Sequence, residues 1–287
     1  MRRFVSRTTA LFSLALLAAL PAIAESDTCE KCNPDREWLS YWKFQVTPYV
    51  WMFFIDGDIG AAGKKTSVSA NFTDLFKHTD SVLGLELNMQ AQNGPWTVVV
   101  DPTWLRATAS TSFDRGPLRV KGDATADYVL LDALVMREAL RWSWRDANAA
   151  PAEPDRYASI DLLGGMRSTI LVGDFNVKVN VPNDFTREVQ RQLDQTQSWV
   201  DPVVGARATL DLGRFTLGVR GDIGGFTLVS DLTSEMWASA AYKFKLFGLD
   251  AFTGAAFRAV YDDYDANNGF LYKTWIYGPV IGMGFRF

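Results

Sequence analysis

The chain has 287 residues, of which 48% are hydrophobic and 13% aromatic, and its formal net charge is −4 at pH 7. A mildly acidic chain without a basic cluster is poorly suited to the phosphate backbone of nucleic acid, so we expect no nucleic-acid partner. After residue 24, no stretch is apolar over the roughly 18 residues that a membrane-spanning helix requires. Any contact with a membrane must therefore be sought in alternating strands.

The first 24 residues have the three parts of a secretory signal peptide. Three arginines precede an apolar run from residue 10 to residue 20, and the segment ends in Ala-Ile-Ala at residue 24. A positive start, a short apolar middle and an Ala-x-Ala end are typical of a leader that is cleaved after the last alanine. We expect residues 1–24 to be removed and residues 25–41 to form a polar lead-in in the periplasm.

The lead-in contains the only two cysteines of the chain, Cys29 and Cys32. In an oxidising periplasm such a pair most simply forms a local disulfide. A c-type haem site requires a histidine after the second cysteine, where Asn33 stands, and a zinc site requires two further ligands that the neighbouring sequence lacks. A redox motif is the other alternative, although the βαβ pattern around such motifs is missing. We predict a structural disulfide, no cofactor and no metal.

From residue 42 onward, large apolar side chains alternate with small or polar ones. The last predicted strand, residues 274–287, is the clearest case. Six large apolar side chains share one of its faces: Trp275, Tyr277, Ile281, Met283, Phe285 and Phe287. The other face carries three glycines, Thr274 and Arg286. An apolar face toward lipid and a small or polar face toward a lumen are typical of a transmembrane barrel strand.

Ten such segments predict an all-β fold, a closed antiparallel transmembrane β-barrel over residues 42–287. Short turns at 93–95, 211–214 and 247–249 fall on one side of the predicted barrel, and the longer connections fall on the other. That distribution agrees with an even number of strands and with both chain ends in the periplasm. Eight or twelve strands are the alternatives, because residues 55–70 could form a further hairpin.

Small helices are predicted in two of the outer loops. Residues 71–76 resemble a capping box, in which a cap residue is followed three positions later by an acid. Asn183 can cap a run in which Phe185, Val189 and Leu193 recur every four residues. We expect these stripes to pack on the barrel rim, and the alternative is that one of them folds inward as a plug or gate.

The predicted inner faces carry charges of both signs. The expected lumen charge network consists of Glu86, Asp101, Asp132, Asp161, Arg167, Asp201, Arg207, Arg220, Asp222, Lys243, Arg258 and Arg286, and Lys43, Glu138 and Lys245 share these faces. Ten strands give a backbone radius of about 10 Å, which leaves at most a narrow lumen. Unpaired charges there would cost several kcal/mol each, so we expect cross-strand ion pairs. A selectivity filter is the alternative, although such filters usually present rings of one sign.

Enzymatic barrels are the other function class to consider. His78 is the only histidine, and Asp74 and Asp80 lie near it in the first outer loop. Membrane hydrolases and acyltransferases need a histidine to deprotonate a serine or a water molecule. No serine stands at a spacing that enforces this arrangement. We therefore predict that the chain is not an enzyme, and a hydrolase or acyltransferase that uses His78 is the alternative.

The end of the chain resembles the signal that the outer-membrane assembly machinery of Gram-negative bacteria recognises in a terminal strand. Gly282, Phe285 and Phe287 stand at the positions of its glycine and its aromatic residues, while Val280 replaces its usual polar residue. The resemblance implies that this machinery is a partner and that the cell outer membrane is the location.

Four further segments resemble a family of uncharacterised proteobacterial outer-membrane β-barrel proteins. They are residues 47–51, 56–60, 199–207 and 220–226, and the similarity extends over most of the chain from residue 42. The resemblance implies location and architecture, with no catalytic or ligand residues to carry over, and the cysteine-containing lead-in departs from it. We predict an integral outer-membrane barrel, in contact with membrane lipid, that serves as a narrow channel or a surface scaffold.

Overall fold

The structure, a computed structural model, describes residues 42–61, 64–71, 81–115, 118–144, 156–180, 189–266 and 269–287. These residues contain twelve strands: β1 (Lys43–Trp51), β2 (Phe54–Ala61), β3 (Lys64–Asn71), β4 (Ser81–Asn93), β5 (Trp96–Arg115), β6 (Leu118–Trp144), β7 (Arg156–Asn180), β8 (Val189–Asp211), β9 (Phe215–Gly224), β10 (Leu232–Leu246), β11 (Leu249–Ala266) and β12 (Phe270–Arg286). Within the described ranges, no helix is long and apolar enough to cross a bilayer.

Ten of the strands close into an antiparallel barrel. The order is β1 followed by β4 to β12, and β12 pairs again with β1, from Gln45 opposite Arg286 to Trp51 opposite Val280. Following the register once around the ring leads from Gln45 to Gly57, twelve residues further along the chain. This stagger tilts the strands by about 40° and gives a radius of about 10 Å. The predicted fold class is confirmed, with ten strands in the ring.

Strands β2 and β3 form a hairpin added to this ring. β2 continues the pairing of β1 with β12 in the same register, beginning at Phe54 opposite Tyr277. At the break between β1 and β2, the Met52 N–H donates to the Pro279 carbonyl at 2.9 Å. The backbones of Met52 and β12 can come this close because Gly278 has no side chain. A Cβ added at Gly278 would lie 2.2 Å from the Met52 carbonyl oxygen. The further hairpin considered for residues 55–70 is thus present.

The outer face of the barrel is apolar and exposed. Leu85 on β4, Leu162 on β7 and Ile281 on β12 are 63%, 60% and 56% exposed. Aromatic side chains lie at both ends of this surface, with Trp96 at the end of the short turns and Trp275 at the other end. A closed barrel with this exterior satisfies its own backbone hydrogen bonds and presents apolar side chains to lipid. The chain is an outer-membrane β-barrel.

Three short turns lie at one end of the barrel, as predicted. They join β4 to β5, β8 to β9 and β10 to β11. Gly213 and Gly248 have φ angles of 86° and 84° in two of these turns, a conformation that side chains with a Cβ rarely adopt. Since such turns face the periplasm in outer-membrane barrels, this end is the periplasmic one.

Two of the longer connections predicted at the outer end, residues 109–125 and 173–198, are largely strand in their described parts. β5 and β6 pair as far as Arg115 opposite Leu118, and β7 and β8 pair as far as Val179 opposite Val189. The sequence pattern fades in these segments because the alternation reflects lipid on one side and lumen on the other. Beyond the membrane this contrast is lost.

The helix predicted after Asn183 is wrong from residue 189 onward, because Val189 and Leu193 lie in β8. A spacing of four residues also places side chains on one face of a strand, since four is a multiple of the strand period of two. Residues 181–188, and residues 72–80 with most of the other predicted helix, lie outside the described residues.

Candidate functional site in the barrel lumen

At mid-height, the lumen is filled by ion pairs around Arg167, a β7 residue with no exposed surface. Its Nε donates to Asp132 Oδ1 at 2.9 Å. Its Nη2 donates to Asp222 Oδ1 at 2.9 Å and to Glu235 Oε2 at 2.7 Å. The three carboxylates belong to β6, β9 and β10. One guanidinium therefore joins four strands through short, charge-assisted hydrogen bonds.

Arg258 crosses the lumen from β11 to the other side of the ring. Its Nη1 donates to Tyr49 Oη on β1 and to Thr103 Oγ1 on β5, both at 2.9 Å. The guanidinium carbon lies 4.7 Å from the ring centroid of Trp51 and 4.8 Å from that of Trp237. Such cation–π contacts favour a desolvated guanidinium. The side chain is completely buried and leaves no open space on this line across the barrel.

Glu235 on β10 accepts hydrogen bonds from three arginines and is missing from the predicted network. Arg258 Nε donates to Oε1 at 2.6 Å, while Arg167 and Arg220 both donate to Oε2. In β10, Glu235 stands an even number of positions before Lys243, which was predicted to face the lumen. The alternation of the strand places both side chains on the same face, so the signal for Glu235 was present in the sequence.

These pairs form one dry layer, which we call the lumen plug. Its six charged residues are Asp132, Arg167, Arg220, Asp222, Glu235 and Arg258, and none of these residues is more than 7% exposed. Three bases and three acids balance one another. Burial of charges at this depth is tolerated only when they are paired and hydrogen-bonded.

A second chain of hydrogen bonds leads from the plug toward the periplasmic end. Tyr49 Oη donates to Asp101 Oδ1 at 2.7 Å, and Asn88 Nδ2 donates to Asp101 Oδ2 at 2.7 Å. Gln90 Nε2 donates to Asn88 Oδ1 at 2.8 Å, and Arg207 reaches Gln90 Oε1 at 3.5 Å. Side chains on the periplasmic part of the lumen wall are therefore connected to the plug by hydrogen bonds.

On the outer side of the plug lies a further closed layer. Asp201 accepts a backbone N–H from the β9–β10 connection at 3.0 Å, and Thr233 donates to Asp262 Oδ1 at 2.6 Å. Trp199 stacks on Tyr264 with ring centroids 4.3 Å apart and an interplanar angle of 9°. This aromatic pair bridges β8 and β11 above the short β9–β10 connection.

On the periplasmic side of the plug, the lumen widens into a cavity of about 670 Å³. Charged side chains of its wall are paired between strands. Arg207 Nε donates to Asp161 Oδ2 at 2.8 Å, and Lys243 Nζ contacts Asp211 Oδ2. At the rim, Arg286 Nε donates to Gln45 Oε1 at 2.9 Å. The cavity is a polar vestibule that ends blindly at the plug.

The predicted network is thus divided between three places. The plug contains Asp132, Arg167, Arg220, Asp222 and Arg258. The cavity is lined by Asp161, Arg207, Lys243 and Arg286, together with Lys43 and Glu138. The plug is flanked by Glu86, Asp101 and Asp201. Glu86 accepts the Trp51 N–H at 2.6 Å. Lys245 does not belong to this network, because its side chain is exposed and pairs at 2.6 Å with Asp250, which is exposed as well.

The residues of the predicted assembly signal lie along the closing strand pair. Gly282 and Phe285 are on β12 opposite β1, and the Phe287 N–H donates to the Phe44 carbonyl at 2.9 Å. Their recognition by the assembly machinery stays a prediction.

Other predicted features fall outside the described residues. These are the leader, residues 1–24, the pair Cys29 and Cys32, and His78. In the part of the chain that the structure describes, no group of three or more His, Cys, Asp or Glu side chains is placed to hold a metal ion.

Comparison with known proteins gives matches among solved structures only. The sequence matches no protein-family model, and no curated protein matches it. The outer-membrane protease OmpT from Escherichia coli is 9% identical, with 86% of this chain and 96% of that chain covered and a TM-score of 0.46. Ail, the attachment invasion locus protein of Yersinia pestis, is 12% identical over 86% and 98% of the two chains, with a TM-score of 0.24.

A Pseudomonas aeruginosa FadL homologue is 7% identical over 86% of this chain and 90% of that chain, with a TM-score of 0.29. At these identities and scores, no activity and no residue role is carried over to this chain. The family resemblance in the sequence stays a prediction.

Proposed function

We propose that this outer-membrane barrel is a closed surface scaffold and not an open channel. The observation that carries the proposal is the fully buried side chain of Arg258, which joins β11 to Tyr49 and Thr103 across the lumen. An ion needs a hydrated path or a ring of ligands that replaces its water. Here it would have to separate buried ion pairs, which costs several kcal/mol for each pair.

The outer parts of β5 to β8 support the scaffold part of the proposal. β9 pairs with β8 only between Asp211 and Val203, whereas β8 extends to Val189. β4 pairs with β5 as far as Thr108, whereas β5 extends to Arg115. The four strands thus form an extension on the side opposite the short turns. A sheet of this kind presents unpaired backbone N–H and C=O groups along its free edges.

Shortening this extension tests the scaffold. Gly173 and Gln195 are directly paired, so residues 174–194 can be replaced by Asn-Gly in a two-residue turn. We expect the shortened barrel to fold, as judged by its heat-modifiable mobility on gels, because the plug and the Trp199 stack are retained. Intact cells that display it should lose adhesion to immobilised matrix proteins and to one another. Equal adhesion with and without the extension, or none with the intact chain, counts against a scaffold.

A narrow channel is the second candidate, favoured by the cavity that reaches the plug from the periplasmic side. It requires the plug to open, and conductance recordings distinguish the two functions.

We also propose that the barrel performs no catalysis. The carboxylates of the plug are occupied by arginines, and the alternative enzyme would depend on His78. Purified barrel should therefore hydrolyse neither phospholipid nor peptide substrates. Hydrolysis that disappears in the His78→Ala variant would establish the alternative.

A further inference from the structure

Two arginines lie side by side on the cavity wall. Arg207 on β8 and Arg220 on β9 are directly opposite each other in the register, and both line the cavity. Like charges at directly opposite positions of an antiparallel pair destabilise it. Nearby acids offset this: Asp161 pairs with Arg207, and the plug carboxylates Glu235, Asp222 and Asp132 lie within 4 Å of Arg220. A closely spaced pair of bases in a cavity is the usual chemistry of an anion site.

Both guanidinium groups keep donors that the described residues do not satisfy. Arg207 donates through Nε to Asp161, and its Nη1 reaches Gln90 only at 3.5 Å. The buried Nε of Arg220 has no hydrogen-bond acceptor among the described residues, since the Asp222 carboxylate lies 3.7 Å away. A guanidinium carries five N–H donors. Arg207, whose side chain is partly exposed, can therefore bind an additional acceptor from the cavity, and the positive charge of Arg220 beside it favours an anion there.

Space for such an acceptor lies directly toward the periplasm from the two arginines. Gly218 lies two residues before Arg220 in β9 and is the neighbouring inner-face position toward the periplasmic end. As a glycine, it leaves that part of the wall without a side chain. Thr209 on β8 and Ser239 on β10 are its partners in the register and bring hydroxyl groups to the same place. A Cβ added at Gly218 would lie 2.9 Å from Ser239 Oγ. The result is a hydroxyl-lined niche beneath a pair of bases.

We propose that Arg207, Arg220 and the niche at Gly218 bind a small periplasmic solute through a carboxylate or phosphate group. The planar fork of an arginine matches either anion through two parallel hydrogen bonds. An anion between the two guanidinium groups also removes the repulsion between them. The cavity of about 670 Å³ is within the range of small-molecule sites, so the solute is small and the remaining polar wall contacts its uncharged part.

Calorimetric titration of the full barrel in detergent micelles tests this site, with inorganic phosphate and succinate as separate probes. We expect at least one probe to bind with one-to-one stoichiometry, and the probe that binds identifies the anionic group. Arg207→Gln should weaken binding at least about tenfold, because charge-assisted hydrogen bonds are lost. Lys245→Gln is the matched control: it removes the same charge from an exposed position outside the cavity and should leave the affinity unchanged.

A second variant keeps both arginines and fills the niche. Gly218→Val should abolish binding and still allow folding, since the nearest group is a hydroxyl that can rotate away. Folding of each variant is checked by heat-modifiable mobility. The proposal is overturned if neither probe binds the unmodified barrel. It is also overturned if the Arg207→Gln or the Gly218→Val variant binds a probe with the affinity of the unmodified barrel.

Discussion

Replacing Arg167 by methionine should lower the free energy of unfolding of the barrel by about 3–5 kcal/mol. Asp132, Asp222 and Glu235 would each lose a partner in a layer that water does not reach. Methionine retains much of the side-chain volume, so the loss reports the unpaired charges rather than an empty cavity. Urea unfolding in lipid vesicles, followed by the gel mobility of the folded barrel, measures the change.

Arg106→Met is the matched control for this variant. Arg106 also forms a short ion pair, 2.7 Å from Asp127, but its side chain is 45% exposed on the outer face. Exposed pairs contribute little to stability, so we expect no measurable change in the unfolding midpoint. If Arg167→Met unfolds at the same urea concentration as the unmodified barrel, the ion pairs of the plug do not stabilise the fold.

Replacing Arg258 by alanine should open the barrel to ions. The substitution removes the side chain that joins β11 to Tyr49 and Thr103, and it uncovers the facing indoles of Trp51 and Trp237. Water can then enter the layer, and Glu235 loses one of its bases. Because carboxylates in a pore favour cations, we expect conductance steps with cation selectivity.

Planar-bilayer recordings across a potassium chloride gradient measure both properties of this variant. The steps give the conductance, and the reversal potential gives the selectivity. Arg106→Ala, which changes only the outer face, should behave as the unmodified barrel. A correctly folded Arg258→Ala barrel that stays silent would show that other side chains close the lumen.

The faces of the membrane-spanning strands could be predicted from the sequence because the two sides of the wall meet different media. On β7, Leu162 meets lipid and Arg167 lies toward the lumen, because an odd separation of positions places two side chains on opposite faces of a strand. Alternation carries this information directly. Beyond the membrane the contrast disappears, and the sequence pattern therefore does not reveal that β5 extends to Arg115.

The contacts within the lumen could not be predicted in the same way. Arg258 and Thr103 are 155 residues apart and meet only because ten strands with a particular stagger bring them together. The pairing between inward-facing bases and acids also depends on the length and rotamer of each side chain. The sequence indicated a balanced set of charges, while the convergence of three arginines on Glu235 is a property of the closed ring.

Single-channel recording of the unmodified barrel tests the central claim, a lumen closed by the plug, most directly. Purified barrel, shown to be folded by its heat-modifiable mobility, is inserted into planar bilayers, and a known porin in the same membrane confirms that insertion is detectable. A closed plug predicts no conductance steps at any applied voltage, because no hydrated path passes the layer of Arg167 and Arg258. Reproducible steps from the unmodified barrel would contradict the claim and make the chain a channel.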